Sequence, residues 1–383
     1  MRYDLSDDQI LIRDTVRTLC RAEFAPHAER WDREAIVPRE AVAKLAEHGF
    51  LGMAIPEEWG GVGYDARTVA LVIEEIARVS AALAIMVSVH NSVGAVPVLR
   101  YGTEEQKRRF LPRLVSKELS AFSISEPDAG SDAGHLHATA VRKDGGYVLN
   151  GRKNWVTNGE QAGLYLIFAR TNKEIGNKGI SAFVVESGAP GLIVGKAEDK
   201  MGLRGSDTVS LTLQDLEVPV EQRLGAEGDG FRIALSALDA GRIGVGAQSL
   251  GVAIAAFEEA VAYAQQRQAF GQPLAKIQAI QFKLAEMERR IQCARLLIQR
   301  AAWLKDAGRP FAREASMAKL YASEAATWIT HQAIQVHGGY GYVKEYAVER
   351  YYRDARVMEI YEGTSEIQRL VIARSLLKDG VAV

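Results

Sequence analysis

The sequence predicts an α+β protein with an all-α N-terminal domain, an antiparallel β domain in the middle and a four-helix bundle at the C-terminus. The chain has 383 residues, more than one hydrophobic core usually holds, which indicates two or three domains. Apolar residues recur with helical spacing at both ends, whereas short β-branched and aromatic runs separated by turns fill the middle. We therefore expect domains over residues 1–118, 119–225 and 226–383.

The N-terminal part predicts a series of helices. Ser6 is a good N-cap, and the acidic residues after it suit the positive end of a helix dipole. Ile10, at helical spacing from Val16, is expected on the apolar face of this helix. Residues 39–48 predict a second helix that stops at a glycine. Residues 68–93 predict one long apolar helix.

The middle part predicts strands of an antiparallel sheet. Asp144 and the two glycines after it indicate a hairpin turn, and Pro219 is expected to end the last strand. The six predicted strands cover residues 121–125, 136–141, 147–149, 164–169, 180–185 and 208–213.

The C-terminal part predicts a helix bundle, because four long stretches with helical periodicity follow one another with short connections. These stretches begin where the helical period returns near Phe231. Their apolar faces cover residues 250–261, 277–298, 315–336 and 367–377.

Composition excludes several classes of protein. Hydrophobic residues make up 48% and charged residues 25%, and the net charge is −1, so no general attraction to nucleic acid or anionic membranes is expected. The apolar run at 81–89 is far shorter than the ~20 residues of a membrane span. Residues 1–6 show no targeting pattern, which favours a cytoplasmic, bacterial protein. Cys20 and Cys293 are expected to be reduced packing residues.

Two common site types are not predicted. The glycine pairs at 61–63 and 244–246 lack the preceding strand and the βαβ context of a dinucleotide fingerprint. The seven histidines are scattered, and His135 and His137, at strand spacing, are expected to be surface or loop residues. No metal site is therefore expected.

Three stretches carry possible chemistry, each with a plainer alternative. The loop over residues 122–134 is rich in hydroxyls and glycine, and it either binds a heterocycle or phosphate or is an ordinary turn. Trp155 either covers a flat ring or packs in the core. Glu362, between Tyr361 and Gly363, is either a catalytic carboxylate or a solvated acid at a helix start.

In combination, these stretches resemble the acyl-CoA dehydrogenase family, most closely its short-chain and short branched-chain members. The resemblance covers essentially the whole chain, with the motifs in the expected order and spacing. Those motifs are Ile-Pro-Glu-Glu-Trp-Gly-Gly at 55–61, Ser-Glu-Pro at 125–127 with Gly-Ser-Asp at 130–132, Lys-Met-Gly-Leu-Arg-Gly-Ser at 200–206, Arg-Gln-Ala-Phe-Gly at 267–271, Gln-Val-His-Gly-Gly at 335–339, Tyr-Arg-Asp-Ala-Arg at 352–356 and Tyr-Glu-Gly-Thr at 361–364.

The resemblance implies a noncovalently bound FAD, a site shared between neighbouring subunits, and a homotetramer built as a dimer of dimers. Positions that match acyl-CoA contacts are Ser131, Asp239, Arg242, Tyr361 and Gly363. Positions that match FAD contacts are Phe122, Ile124, Ser125, Gly130, Ser131, Trp155, Val156, Thr157, Arg267, Phe270, Gln278, Gln335, Val336, Gly338, Gly339, Thr364, Ser365 and Glu366.

By the same resemblance, Glu362 is the base that removes the α-proton of an acyl-CoA while the β-hydride passes to the flavin. The product is then a trans-2-enoyl-CoA, and an electron-transferring flavoprotein takes the electrons. Isovaleryl-type members place their base before the arginine that matches Arg242, but this chain has Gly241 there. Burial beside an acyl chain is expected to raise the Glu362 pKa towards the working pH.

The expected substrate is a short or medium acyl-CoA, straight or branched, in fatty acid β-oxidation or branched-chain amino acid catabolism. No arginine lies in 80–92 to pair with a diacid, and His337 resembles branched-chain relatives. Rival hypotheses are an acyl-CoA oxidase, expected to extend beyond Val383, a nitroalkane-oxidase-like enzyme, expected to use Asp as base, and a non-catalytic flavin- or CoA-binding scaffold.

Overall fold

The computed structural model describes residues 4–380 and confirms the predicted fold class, with helices before and after a β-sheet domain. Residues 1–3, on which part of the targeting prediction rests, and residues 381–383 lie outside the described part. The N-terminal helices are α1 (Asp7–Leu19), α2 (Ala25–Arg33), α3 (Arg39–Glu47), α4 (Ala66–Ala77), α5 (Ala81–Val89), α6 (Val96–Tyr101) and α7 (Glu104–Ser116).

Helix α1 begins at the predicted cap. The Gln9 N–H donates to Ser6 Oγ, and the Ser6 N–H donates to the Gln9 side chain, both at 3.2 Å, which completes a capping box. The predicted apolar face is wrong at Ile10, which is 39% exposed. Val16 and Cys20, one turn apart, are buried, and Leu19 is partly buried against the core.

The prediction of one long helix over residues 68–93 is wrong. Helix α4 ends at Ala77, and Ser80 starts α5 because its hydroxyl accepts the Leu83 N–H at 3.2 Å. A serine that satisfies an N-terminal N–H competes with continuation of the preceding helix. Helix α5 then passes into a π-helical segment, His90–Ala95.

The middle domain is one sheet of eight strands. They are β1 (Leu119–Ser123), β2 (Thr139–Lys143), β3 (Gly146–Thr157), β4 (Ala162–Arg170), β5 (Ile180–Glu186), β6 (Leu192–Val194), β7 (Thr208–Pro219) and β8 (Arg223–Leu224). The order in the sheet is β6-β7-β3-β2-β4-β5-β8, with β1 against β4. Most neighbouring strands are antiparallel, as predicted, but β1 and β2 both pair with β4 in parallel, and there the prediction of an antiparallel sheet was wrong.

Two local details of the sheet bear on the predictions. The hairpin at Asp144 is present, with Lys143 paired to Gly146 and Gly145 at φ 78°. The strand predicted from residue 136 begins only at Thr139, because Ala133–His135 forms a 3₁₀ turn. The two histidines of this stretch are therefore loop residues rather than strand neighbours.

The C-terminal part contains the four predicted long helices and one short additional helix. Helix α8 is long enough to include Gly244 and Gly246, which confirms that these glycines belong to a helix and not to a dinucleotide turn. A two-stranded hairpin, β9 (Gln268–Ala269) with β10 (Gln272–Pro273), precedes the second helix. The helices are α8 (Gly230–Gln266), α9 (Gln278–Asp306), α10 (Ala312–His337), α11 (Val348–Arg356) and α12 (Ser365–Asp379).

Both helical parts share one apolar core. It contains Ile76 of α4, Leu83 of α5, Leu250 of α8 and Ile329 of α10. Helix α8 approaches α5 closely, because a Cβ added at Gly244 would lie 2.3 Å from Ser88 Oγ. Removing such apolar surface from water is the main stabilising term for the fold.

Two helical stretches, Ala81–Tyr101 and Gly230–Gln266, are long and apolar enough to cross a membrane. Their most apolar windows are 89% and 94% buried inside the fold. Helices that are apolar all round and covered by protein are core helices, which accounts for both stretches.

Candidate active site

The turn between α11 and α12 has an unusual backbone. A 3₁₀ turn, Val357–Glu359, follows α11, and Glu362 and Gly363 then have φ of 50° and 94°. Left-handed φ costs little for glycine but is disfavoured for other residues. Thr364 caps α12, accepting the Ile367 N–H at 3.4 Å. A strained residue therefore stands immediately before a helix start.

Two buried side chains hold the carbonyls of this turn. Gln368 Nε2 donates to the Glu362 carbonyl at 3.2 Å and to the Gly363 carbonyl at 2.8 Å. Lys319 Nζ, from α10, donates to the same Gly363 carbonyl at 2.8 Å. Both side chains are 0% exposed. The backbone of the turn is thus fixed from two helices.

The Glu362 carboxyl group has no such partner. Within residues 4–380, neither of its buried oxygens has a hydrogen-bond partner. Burial raises its pKa to about 7, although the charges of Lys319 and Arg242 act in the opposite direction. A carboxylate without partners and with a pKa near neutrality is suited to accept a proton from a ligand.

Helix α8 faces this carboxyl group with a glycine. A Cβ added at Gly241 would lie 2.1 Å from Glu362 Oε2, so only glycine leaves room for the observed carboxylate. The next residue, Arg242, donates to Asp239 Oδ1 at 2.6 Å and to Ser316 Oγ at 3.3 Å. Asp239 and Arg242, which are predicted to contact the substrate, thereby lie on the helix that faces the predicted base, Glu362.

Tyr361 connects the turn to the helical core. Its buried hydroxyl donates to the Gln248 side-chain oxygen on α8. Gln248 Nε2 in turn donates to the Ala81 carbonyl at the start of α5, at 2.8 Å. This chain of contacts fixes the side of the turn next to the carboxylate.

A second group of predicted residues lies where β1 and β3 meet. The Asn154 N–H donates to the Ser125 carbonyl at 2.9 Å. Beneath it, Lys153 Nζ and Glu126 Oε1 form a buried ion pair at 2.7 Å. Trp155 is 63% exposed with φ 60°, so the alternative that it packs in the core of its own chain was wrong.

The other residues of this second group differ in exposure. Ile124 and Val156 are buried, whereas Gly130 and Ser131 are exposed. A Cβ added at Gly130 would meet nothing within 4 Å. Partly exposed residues here are Phe122, Ser125 and Thr157.

A third group forms an open cleft of about 780 Å³ at the end of α8 and α10. Gly338 and Gly339 lie where an added Cβ would meet nothing within 4 Å, and Arg267 stacks 5.5 Å from the Tyr340 ring centroid. Aromatic faces, a guanidinium and open backbone suit a nucleotide with phosphates. Other lining residues include Tyr263, Gln335, Val336, His337 and Tyr346.

Not all predicted cofactor residues join these groups. Phe270, in the turn of the β9–β10 hairpin, is 94% exposed, and Gln278 is the exposed first residue of α9. Within residues 4–380, no hydrogen bond links the nucleotide-like cleft to the Glu362 turn. Of the residues after Glu362, Ser365 is buried and Glu366 is exposed.

Several residues that support these groups were not predicted from the sequence. They are Lys319, Gln368, Gln248 and the Glu126–Lys153 pair. One signal was available for Lys319: it is a single charge between two runs of small and apolar residues on a helix, Ala315-Ser316-Met317-Ala318 before it and Leu320-Tyr321-Ala322 after it. Such a charge is buried only with a specific partner. No group of three or more metal-ligating side chains occurs among residues 4–380.

The fold and this arrangement define a class of protein. A buried carboxylate without a hydrogen-bond partner, in a chain that also has an open cleft lined by aromatic rings and a guanidinium, is typical of a cofactor-dependent enzyme that takes a proton from its substrate. Three family models match consecutive parts of the chain: acyl-CoA dehydrogenase N-terminal domain at 6–118, middle domain at 121–216 and C-terminal domain at 228–377. The chain belongs to the acyl-CoA dehydrogenase family.

Similar proteins agree with this family. The short-chain specific mitochondrial acyl-CoA dehydrogenase of Bos taurus is 49% identical over 98% of this chain and 91% of its own. Butyryl-CoA dehydrogenase from Megasphaera elsdenii has a TM-score of 0.97 at 44% identity, covering 98% of this chain and 100% of its own. A chain in the structure of the electron transferring flavoprotein of Acidaminococcus fermentans has a TM-score of 0.98 at 44% identity, covering 99% of this chain and 100% of its own.

The comparisons confirm the predicted family, the oxidoreductase class and the cofactor. The FAD complex of PigA has a TM-score of 0.95 at 32% identity, covering 99% of this chain and 100% of its own. The protein is therefore an oxidoreductase of a flavoprotein family that acts on acyl-CoA substrates, with FAD as its cofactor.

Proposed function

We propose that the protein catalyses the α,β-dehydrogenation of a short or medium acyl-CoA to the trans-2-enoyl-CoA. The observation that carries this proposal is the Glu362 carboxylate, which is buried, has no hydrogen-bond partner among residues 4–380 and has a pKa raised to about 7. A base of this kind matches the removal of a weakly acidic proton next to a thioester carbonyl.

The residues present fit FAD. The open backbone at Gly338 and Gly339 leaves space for phosphates, and the Arg267 guanidinium makes no ion pair within the described residues. Arg267, Gln335, Val336, Gly338 and Gly339 would hold the nucleotide half. Phe122 to Ser131 and Trp155 to Thr157 would hold the flavin ring. When bound, FAD supplies the acceptor for the β-hydride.

The chain's own residues then do the remaining work. Glu362 takes the α-proton, and its N–H group is proposed to donate to the thioester oxygen as negative charge develops there. Asp239 and Arg242, joined at 2.6 Å, are proposed to line the approach of the CoA moiety with Ser131, Tyr361 and Gly363. Water exclusion around the buried carboxylate keeps its proton affinity high.

Relatives support the finer details of the proposal. The names of the short-chain specific bovine protein and of butyryl-CoA dehydrogenase favour a short acyl chain. Similarity to a chain from an electron transferring flavoprotein structure favours that class of acceptor over oxygen. A cytoplasmic homotetramer that serves fatty acid or branched-chain amino acid breakdown completes the proposal.

The test is an acyl-CoA panel with the purified FAD-loaded protein. Butyryl-CoA, isobutyryl-CoA and longer straight chains are added anaerobically, and bleaching of the flavin absorbance is followed. Turnover is then compared with an artificial electron acceptor and with oxygen. We expect rapid bleaching by a short chain and faster turnover with the artificial acceptor. Flavin absorbance that persists across the whole panel would contradict dehydrogenation, and oxygen as the better acceptor would indicate an oxidase.

A further inference from the structure

Lys319 is a buried cation whose burial is not explained by an ion pair. It is 0% exposed, and its Nζ donates to the Gly363 carbonyl at 2.8 Å. No carboxylate lies within ion-pair distance of it among residues 4–380. Removing an ammonium group from water is costly unless it is paired. A lysine kept there with a backbone carbonyl as its partner suggests that the carbonyl itself needs a strong donor.

That carbonyl belongs to the turn that presents Glu362. Two consecutive residues, at φ 50° and 94°, adopt left-handed backbone there, which for Glu362 is a strained conformation that its surroundings must maintain. The Gly363 carbonyl accepts from Lys319 and from Gln368, both at 2.8 Å. The carboxylate, by contrast, receives no hydrogen bond within the described chain. The hydrogen bonds of the turn therefore fix the backbone of Glu362 and not its carboxylate.

We propose that Lys319 is a positioning residue for the reaction: its ammonium group, with Gln368, holds the Gly363 carbonyl so that the strained turn keeps the Glu362 carboxylate directed at the substrate. This inference rests on the proposed function. Leaving the carboxylate without hydrogen bonds preserves its basicity, whereas a direct ion pair would stabilise the anion and weaken the base.

The charge of Lys319 also lowers the pKa of Glu362, an effect separate from its hydrogen bond to the turn. Lys319 from α10 and Arg242 from α8 are the cations that act on the Glu362 carboxylate, and burial outweighs both. Tyr361, the neighbouring titratable group, stays protonated because burial raises its pKa. Burial lowers the pKa of Lys319 to about 8, and the carboxylates of Glu362, Glu359 and Glu324 oppose that change.

The test compares Lys319→Met, Lys319→Gln and Lys319→Arg in the full-length FAD-loaded enzyme. Methionine fills a similar volume but has neither a hydrogen-bond donor nor a charge. Glutamine keeps a donor without the charge, and arginine keeps both the donor and the positive charge. We expect Lys319→Met to lower kcat about 10- to 100-fold with little change in KM, the scale for a misplaced catalytic group. We expect Lys319→Arg to recover most of that loss.

The pH profile separates positioning from a purely structural role. Without the charge, the acid limb of kcat should move to higher pH by roughly one unit or more in the methionine and glutamine variants. Lys319→Arg should keep the wild-type limb. Lys305→Met is the matched control, because Lys305 is also a largely buried lysine but interacts with Asp306 and Asp65, away from the turn.

Each outcome decides between the alternatives. Bound flavin and melting temperature are measured for every variant, so loss of fold is seen directly. If Lys319→Met does not fold, Lys319→Gln decides, and wild-type kcat together with an unmoved acid limb in that variant overturns the proposal. Wild-type kcat and pH profile in a folded Lys319→Met also overturn it. A wild-type enzyme without turnover would instead contradict the proposed function.

Discussion

Glu362 shows how a single side chain acquires a chemical property from its surroundings. The resemblance to the family predicted the direction of its pKa shift, because a carboxyl group buried beside an acyl chain loses hydration. The sequence could not predict that Lys319 and Arg242 would both face it, since these residues come from different helices. Opposing effects of this kind depend on tertiary contacts and are invisible in local patterns.

Replacement of Glu362 by glutamine should leave the fold and the bound flavin unchanged but remove the base. We expect kcat with the best acyl-CoA to fall roughly 10²–10⁴-fold, the usual contribution of general base catalysis. Flavin content by absorbance and turnover with an artificial acceptor check this. Normal turnover in a flavin-loaded Glu362→Gln protein would show that the base has been misassigned.

The raised pKa of Glu362 also predicts the pH dependence of turnover. The base must be ionised to accept a proton, so kcat should rise with pH through about 7 and level off above it. An unperturbed carboxylate would give a rate independent of pH from about 6 upwards. The measurement is kcat for a short acyl-CoA from pH 5.5 to 9, with stability monitored in parallel.

At the scale of elements, periodicity predicted the helices of the bundle but not the interruptions in the N-terminal helix. The run after residue 68 is mostly apolar, with Glu74, Glu75 and Arg78 as its charged residues, and a mostly apolar run does not indicate where a helix ends. Ser80 ends α4 and starts α5 through one side-chain hydrogen bond. The parallel pairing of β1 with β4 was likewise missed, because strand direction depends on the path of the connection.

The π-helical segment His90–Ala95 brings its backbone close to β1. A Cβ added at Gly94 would lie 1.8 Å from Ser120 Oγ and 2.7 Å from Ser120 Cβ, a clash that side-chain rotation cannot relieve. We expect Gly94→Ala to lower the free energy of unfolding by about 1–3 kcal/mol, as in overpacked cores. Denaturant titration of the FAD-free protein measures this.

Gly130→Ala is the matched control for Gly94→Ala, since its added Cβ would meet nothing within 4 Å. Because Gly130 lies in the proposed flavin loop, the two substitutions are compared in the FAD-free protein. We expect it to change the unfolding free energy by less than about 0.5 kcal/mol, as is usual for exposed positions. Equal effects of the two substitutions would mean that the close approach of the π-helical segment to β1 is not a constraint on stability.

At the scale of the whole molecule, one chain presents its predicted cofactor residues on separate surfaces. Phe270 is 94% exposed, and the cleft with Arg267 opens outwards, as expected if a second copy completes the site. The sequence resemblance implied this sharing between subunits. Composition and periodicity alone could not predict a site shared between subunits, because they describe how each element packs and not which surfaces remain for a partner.

Phe270→Ser should therefore affect assembly and cofactor together. We expect the folded protein to retain less FAD and to show a lower mass in light scattering, because an exposed aromatic residue contributes strongly to an interface. Val141→Ser, at a side chain that is 62% exposed on the sheet, is the control and should change neither. Unchanged mass and flavin content in Phe270→Ser would exclude a role for this hairpin in a shared site.

The contact between Gly241 and Glu362 has a consequence for where a second acid could stand in this site. Any side chain at position 241 would begin 2.1 Å from the Glu362 carboxylate oxygen, so a glutamate there cannot coexist with the present one without steric and like-charge conflict. A carboxylate introduced at position 241 would therefore displace the Glu362 side chain from its present place and raise the pKa of one of the two acids. The glycine thus keeps the site to a single base.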